Sequence, residues 1–206
     1  MSQFFTVHPD NPQPRLLRQA ADIIRAGGIV AYPTDSGYAL GCHIGDKNAL
    51  ERIRKIRKLD AKHNFTLVCR DLSALAVYAR VDNVAYRALR SHTPGPYTFV
   101  LQASNEVPRR LKHPKRKTIG IRVPDNIVAQ GLLAELDEPL MSVTLIMPGE
   151  SMPLLDPYEI GDLLGAQIEL VIDGGYCGME PTSVIDLSGE FPEVLREGAG
   201  SVDGFR

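Results

Sequence analysis

No apolar run in the 206-residue chain approaches the ~18 residues that a membrane-spanning helix needs. The N-terminal Met1-Ser2-Gln3-Phe4-Phe5 has neither the basic flank nor the long apolar stretch of a secretory signal, so a cytoplasmic setting is expected. Cysteine is scarce. Cys42, Cys69 and Cys177 are odd in number, widely spaced and form no CxxC, which excludes a disulfide framework and a zinc-binding pattern. Buried, reduced thiols are the expectation. Cations are scarce in one region: after position 124 only Arg196 and Arg206 remain, against sixteen Asp and Glu. No P-loop pattern, HExxH or GxSxG is present, and no GxGxxG follows an expected strand. These absences exclude the commonest nucleotide, zinc-protease and serine-hydrolase signatures. The five histidines are scattered, and His63 beside Asn64 reads most simply as a solvated loop residue.

The composition is that of an ordinary soluble protein, 44% hydrophobic and 23% charged, and residues 1–206 are expected to form one domain. The net charge of −2 hides an asymmetry. One basic cluster spans Arg52 to Lys62, and a second spans Arg109, Arg110, Lys112, Lys115, Arg116 and Lys117. Such a distribution points to an anionic partner or to two solvated faces whose charges meet in the fold.

Asn11-Pro12 reads as a helix start, with Leu16, Leu17, Ala20, Ile23 and Ile24 at helical spacing before Gly27-Gly28. Helices are also expected over Lys47–Lys58, Leu72–Tyr78, Val84–Arg90 and Ile127–Leu136. Strands are expected over Ile29–Tyr32, Phe65–Cys69, Tyr97–Leu101, Thr118–Val123, Leu140–Leu145, Ile168–Asp173, Ser183–Leu187 and Val194–Arg196. Thr34 to Gly41 reads as a loop opening from the first strand, and the proline-rich Met147–Pro157 as a lid or connector. The pattern predicts an α/β (α+β) fold: a twisted open mixed sheet with helices packed on it.

Strand-end segments mix hydroxyls with cations: Thr34-Asp35-Ser36, Arg57-Lys58, Pro94 to Thr98, Arg122-Val123-Pro124, Ser142-Val143-Thr144, Thr182-Ser183 and Arg196-Glu197-Gly198. Hydroxyls and arginines converging at sheet ends suit a nucleotide, because phosphoryl and adenylyl transfer need positioning and charge neutralisation. Each residue also has a plain structural use. Thr34 and Ser36 suit turn bonds. Arg57 and Lys58 suit a solvated helix end. Arg122, in a strand expected to be buried, suits an ion pair with an acid of the C-terminal part.

These segments carry a resemblance. Val30-Ala31-Tyr32-Pro33-Thr34-Asp35-Ser36-Gly37-Tyr38-Ala39-Leu40-Gly41 resembles "ayPTDTvYGLG" of the YrdC/YciO family of threonylcarbamoyl-AMP synthase-like proteins. Pro94-Gly95-Pro96-Tyr97-Thr98 resembles "PGPlT", and Ile121-Arg122-Val123-Pro124 resembles "vRvP". Thr182 to Asp186 resembles "STvvD", and Leu195 to Ala199 resembles "lReGa". The match covers about residues 12–200 and is most like the YciO branch. It implies an enzyme that condenses threonine, bicarbonate and ATP, with Mg²⁺ carried by the ATP, into threonylcarbamoyl-AMP and pyrophosphate for tRNA modification. It also implies a basic concave surface and binding of double-stranded RNA or tRNA.

Under this resemblance Arg57, Lys58, Ser142, Thr144 and Arg196 hold the nucleotide, and Thr34, Arg122 and Ser183 hold the amino acid or its carbamate. The Arg109–Lys117 cations are the candidate RNA contacts. No protein-held metal is implied, and the sequence sets no oligomeric state. Two departures stand out. The family's KxR falls on Arg57-Lys58-Leu59, with a literal Lys55-Ile56-Arg57 two residues earlier; its SxN becomes Ser142-Val143-Thr144. A lost hydrogen bond to a charged phosphate costs about 1.5–3 kcal/mol, so slower or diverged synthesis is expected. A duplex-RNA-binding module without turnover is the alternative.

Overall fold

The computed structural model describes residues 1–60, 63 and 65–206; Lys62 and Asn64, singled out above, lie outside the described residues. The strands are β1 (Gln3–Thr6), β2 (Val30–Thr34), β3 (Gly37–His43), β4 (Thr66–Val68), β5 (Tyr97–Gln102), β6 (Thr118–Arg122), β7 (Leu140–Thr144), β8 (Leu170–Asp173), β9 (Ser183–Asp186) and β10 (Glu193–Arg196). The helices are α1 (Pro14–Arg25), α2 (Lys47–Arg57), α3 (Leu72–Tyr78), α4 (Asn83–His92), α5 (Ile127–Leu136) and α6 (Pro157–Leu164). All ten strands join one open mixed sheet in the order β1-β8-β2-β3-β7-β4-β6-β5-β9-β10. Four pairs are parallel (β1/β8, β2/β8, β4/β6, β5/β9) and the other five antiparallel.

Strand alternation sends successive side chains to opposite faces. On one face Tyr97, Phe99 and Leu101 of β5, Ile119 and Ile121 of β6, and Met141 and Val143 of β7 join a large apolar cluster with residues of α2, α3, α4 and α6. On the other face α1 and α5 pack together over Val30, Tyr32, Ala39, Leu140, Leu170 and Ile172. These two helices cover β8, β2, β3 and the start of β7. Farther along the same face stand Thr66, Thr98, Gly120, Arg122 and Val184, which line an open cleft instead.

Local chemistry explains the elements. Pro14 opens α1, since its missing N–H is an orphan in the first turn anyway. Asp46, Asp71, Asp82, Asn126 and Asp156 cap α2 to α6, each accepting a hydrogen bond from a backbone N–H in the first turn. The structure departs from expectation in four places. The helix begins at Pro14 and not at Pro12. Gly37 to Gly41 is strand β3, because Tyr38, Leu40 and Cys42 alternate inward and the glycines serve close approach; a Cβ on Gly41 would stand 2.9 Å from the Tyr32 ring. Edge strand β1 escaped notice because it pairs only with β8 and buries little. Residues 147–157 are a connector, with Met147, Leu154 and Leu155 packed on the large cluster, and the departure is that Pro157 starts an unexpected helix, α6.

The charge asymmetry closes in the fold in part. Arg18–Glu135, Arg52–Glu169, Arg70–Asp137 and Arg116–Asp186 each join the basic and acidic parts of the chain. Among the described residues no helix is long and apolar enough to cross a membrane. Phe99 is fully buried among Tyr97, Phe205 and the helices of the large cluster. Phe99→Ala should therefore lower the unfolding free energy by about 3–5 kcal/mol in urea titration.

Candidate functional site

The cleft on the uncovered part of the sheet has a volume of about 350 Å³. Four guanidinium groups reach it from four parts of the chain: Arg57 at the end of α2, Arg116 in the turn before β6, Arg122 at the end of β6, and Arg196 in β10. Hydroxyls line its floor, from Thr66, Thr98, Thr118, Ser142, Thr144 and Thr182. They share that floor because the apolar residues between them, such as Phe99, Ile119 and Val143, point to the opposite face.

Each arginine is held differently. Arg122 is only 6% exposed and is the most constrained. It pairs with Asp35 in the β2–β3 turn, and one terminal nitrogen donates to Ser36 Oγ at 2.9 Å. Asp35 also accepts from the Asp125 N–H at 2.9 Å. The partner of this buried cation is thus an N-terminal acid, not a C-terminal one, because the β2–β3 turn folds over the end of β6. The Nε of Arg122 has no hydrogen-bond partner among the described residues. A buried donor in that state is costly, and an anionic ligand oxygen would satisfy it.

Arg57 donates to the Thr144 carbonyl at 2.9 Å and to the Ile146 carbonyl. Arg196 donates to the Thr182 carbonyl at 2.9 Å and to Thr182 Oγ1 at 3.0 Å, and Thr182 Oγ1 lies 2.9 Å from Thr98 Oγ1. A register shift between Val194 and Arg196 belongs to the same edge. Arg116 pairs with Asp186 and donates to Ser188 Oγ at 3.2 Å. Two of the four cations thus have carboxylate partners, and for the other two the contacts described above are to neutral oxygens. The cleft carries an excess of positive charge.

Burial lowers the pKa of Arg57, and burial followed by the Arg122 charge lowers that of Arg196. Burial, and then the charge of Arg57, pushes His63 below its ordinary value, so this cleft residue is a neutral imidazole at pH 7. Burial raises Tyr32 to about 12, against the opposing effect of its 2.7 Å hydrogen bond with Ser142 Oγ. The phenol therefore stays neutral. Burial would raise Asp186, but the Ser188 hydrogen bonds and Arg116 together hold it below its usual range.

The sequence candidates divide. Arg57, Arg122, Ser142, Thr144 and Arg196 line the cleft. Lys58 does not: it is the exposed left-handed C-cap of α2, and Lys55 is exposed as well. Leu59, at the second cation position, packs on the large cluster. Thr34 is buried in its turn, where Oγ1 donates to the Gly37 carbonyl at 2.7 Å and accepts from the Ser36 N–H. Ser183 is fully buried, donating to the Gly200 carbonyl at 2.5 Å and accepting from the Gly198 N–H at 2.9 Å.

The six candidate RNA contacts do not share one face. Arg116 turns into the cleft. Arg110 bonds the Ile44 and Gly45 carbonyls. Arg109, Lys112 and Lys117 line a separate groove with Arg80, and Lys115 is exposed. Sequence reasoning set aside His63 and passed over His113, Thr66 and Thr118. The signal for the threonines was a single hydroxyl at the first position of a short strand, facing away from its buried Leu67 or Ile119 and Ile121.

A family model, Sua5_yciO_yrdC, described as "Telomere recombination", matches residues 22–198. The chain belongs to the Sua5/YciO/YrdC family. It is 58% identical to "Uncharacterized protein YciO" of Escherichia coli K12 over the full length of both, and the crystal structure of E. coli YciO superposes with a TM-score of 0.96. It is 32% identical to the "Threonylcarbamoyl-AMP synthase" of Pyrococcus abyssi, over 88% of this chain and 54% of that protein. The crystal structure of P. abyssi Sua5 complexed with L-threonine matches with a TM-score of 0.90 at 27% identity, covering 98% of this chain and 59% of that one.

Two measurements test the site as described. Asp35→Ala leaves the Arg122 charge buried without its partner and should cost about 3–5 kcal/mol of unfolding free energy in urea. Cys42, Cys69 and Cys177 are all free and buried. Burial raises their thiols to about 12, 12 and 11 respectively. At pH 8 the native protein should react with a thiol-specific disulfide reagent at under ~1% of the rate seen in denaturant.

Proposed function

We propose that the cleft binds ATP and threonine and that the protein is a threonylcarbamoyl-AMP synthase-like nucleotidyltransferase acting in the cytoplasm. The observation that carries this reading is the convergence of four guanidinium groups on one hydroxyl-lined floor. Such a site favours a polyanion and stabilises charge developing on phosphoryl oxygens. The 32% identity to a threonylcarbamoyl-AMP synthase and the likeness to a Sua5 structure that holds L-threonine support the substrate class.

In this reading Arg57 and Arg196 face the nucleotide phosphates. The orphan Nε of Arg122 meets a carboxylate or carbamate oxygen, with Asp35 and Ser36 fixing the guanidinium. Ser142 and Thr144 offer hydroxyls along the same wall. Thr34 and Ser183 act at one remove, by fixing the β2–β3 turn and the Gly198–Gly200 loop. Mg²⁺ enters with ATP as part of the substrate. The two acids nearest in role, Asp35 and Asp186, are already taken by guanidinium groups.

A second reading rests on the exposed Arg109, Lys115 and Lys117 of the basic segment. Duplex RNA held there through its backbone would weaken steeply with salt. Gel shifts from low to high salt check it, and no duplex affinity at low salt removes it.

For the enzyme reading, pyrophosphate release should require ATP, threonine and bicarbonate together. Arg196→Met should lower its rate by about 10- to 150-fold. Absence of both release and ATP binding by the intact protein would overturn the reading.

A further inference from the structure

Arg116 belongs by sequence to the surface-exposed basic segment, but the structure turns it inward. The cause is a tight loop. The His113 N–H donates to the Thr118 carbonyl at 2.8 Å, and the Lys117 N–H returns to the His113 carbonyl at 3.0 Å. His113 Nδ1 accepts from the Arg116 N–H at 3.0 Å and from the Lys115 N–H at 3.3 Å. Lys117 takes a left-handed φ of 57° to close the loop. Arg116 is thereby directed onto Asp186, a residue only 3% exposed. Asp186 is itself fixed by the Ser188 N–H at 2.8 Å and Ser188 Oγ at 2.6 Å.

One terminal nitrogen of Arg116 makes these contacts, to Asp186 and to Ser188 Oγ. The guanidinium is half exposed and lines the cleft. A cleft-lining arginine anchored through one nitrogen keeps further N–H donors and is preorganised for an anion. The need for such a cation is local. Among the described residues the end of α2 offers the cleft Arg57 alone, since Lys55 and Lys58 lie outside the cleft and Leu59 is packed on the core. Strand order puts Arg57, tied to β7, and Arg116, tied to β9, on opposite sides of β4, β6 and β5.

We infer that Arg116 is a ligand-binding residue of the cleft and supplies, from the β9 side, a polyphosphate-binding cation in addition to Arg57. The inference rests on the nucleotide reading above and deepens it. Asp186 tunes this cation: it holds the guanidinium in place and partly offsets its charge.

Calorimetric titration of the full chain with MgATP, and separately with inorganic tripolyphosphate, tests this. Arg116→Met should weaken both ligands by about tenfold or more. Asp186→Asn keeps the arginine and its hydrogen bonding but removes the offsetting charge, so it should bind both at least as tightly as the parent protein. Arg87→Met, on exposed α4, removes one charge from the opposite face and should match the parent. Binding by Arg116→Met within twofold of the parent overturns the inference, as does equal weakening in Arg116→Met and Asp186→Asn, the mark of a merely structural pair. If the parent binds neither ligand, the inference falls together with the nucleotide reading. If it binds tripolyphosphate but not ATP, and Arg116→Met loses that binding, the inference stands and the nucleotide reading falls.

Discussion

Two helices, α1 and α5, must shield one face of a ten-stranded sheet, and they reach only part of it. The opposite face has α2, α3, α4 and α6 and can be apolar along its length. Over β4, β6, β5 and β9 the shielded face gives way to an open one, where side chains meet solvent or ligand. An apolar surface there would be an exposed hydrophobic patch. The chain places threonine, glycine and arginine among a few valines at those positions instead, and the cleft follows from that constraint.

The buried Arg122–Asp35 pair connects this constraint to the chemistry. A cation at the end of β6 is expensive inside a protein unless paired, and the β2–β3 turn supplies the pair. That contact fixes the turn over the cleft and leaves one guanidinium nitrogen unsatisfied. The turn hydroxyls of Thr34 and Ser36 then serve the pair and the backbone more than the open space. Functional and structural uses of polar residues are therefore not alternatives here. The same residues that stabilise the turn set the geometry of the cation.

Much of the fold was legible because its signals are local. Leu17, Ala20 and Ile24 recur at helical spacing, and Ile127–Leu136 is a helix with the bounds expected from its residues. Strand β5 reads directly from the alternation of Tyr97, Phe99 and Leu101 with Thr98 and Val100. What escaped depended on distant partners. Strand β1 exists because β8 offers it an edge, and β3 was hidden by glycines whose reason is the Tyr32 ring beside Gly41. Helix α6 was masked by prolines, one of which opens it.

The sequence by itself determined the α/β class, the strand-end loops and the family, because motifs, caps and periodicity are properties of neighbouring residues. It also determined that arginines and hydroxyls recur at those loops. Only the tertiary structure decided which of them meet. Sheet order brings Arg57, Arg116, Arg122 and Arg196 to one cleft, although they come from four separate elements. It turns Lys58 outward, buries Ser183 and moves Arg116 from a basic surface run into the site. Strand register and the reach of α1 and α5 set these outcomes, and both depend on contacts between residues far apart in the chain.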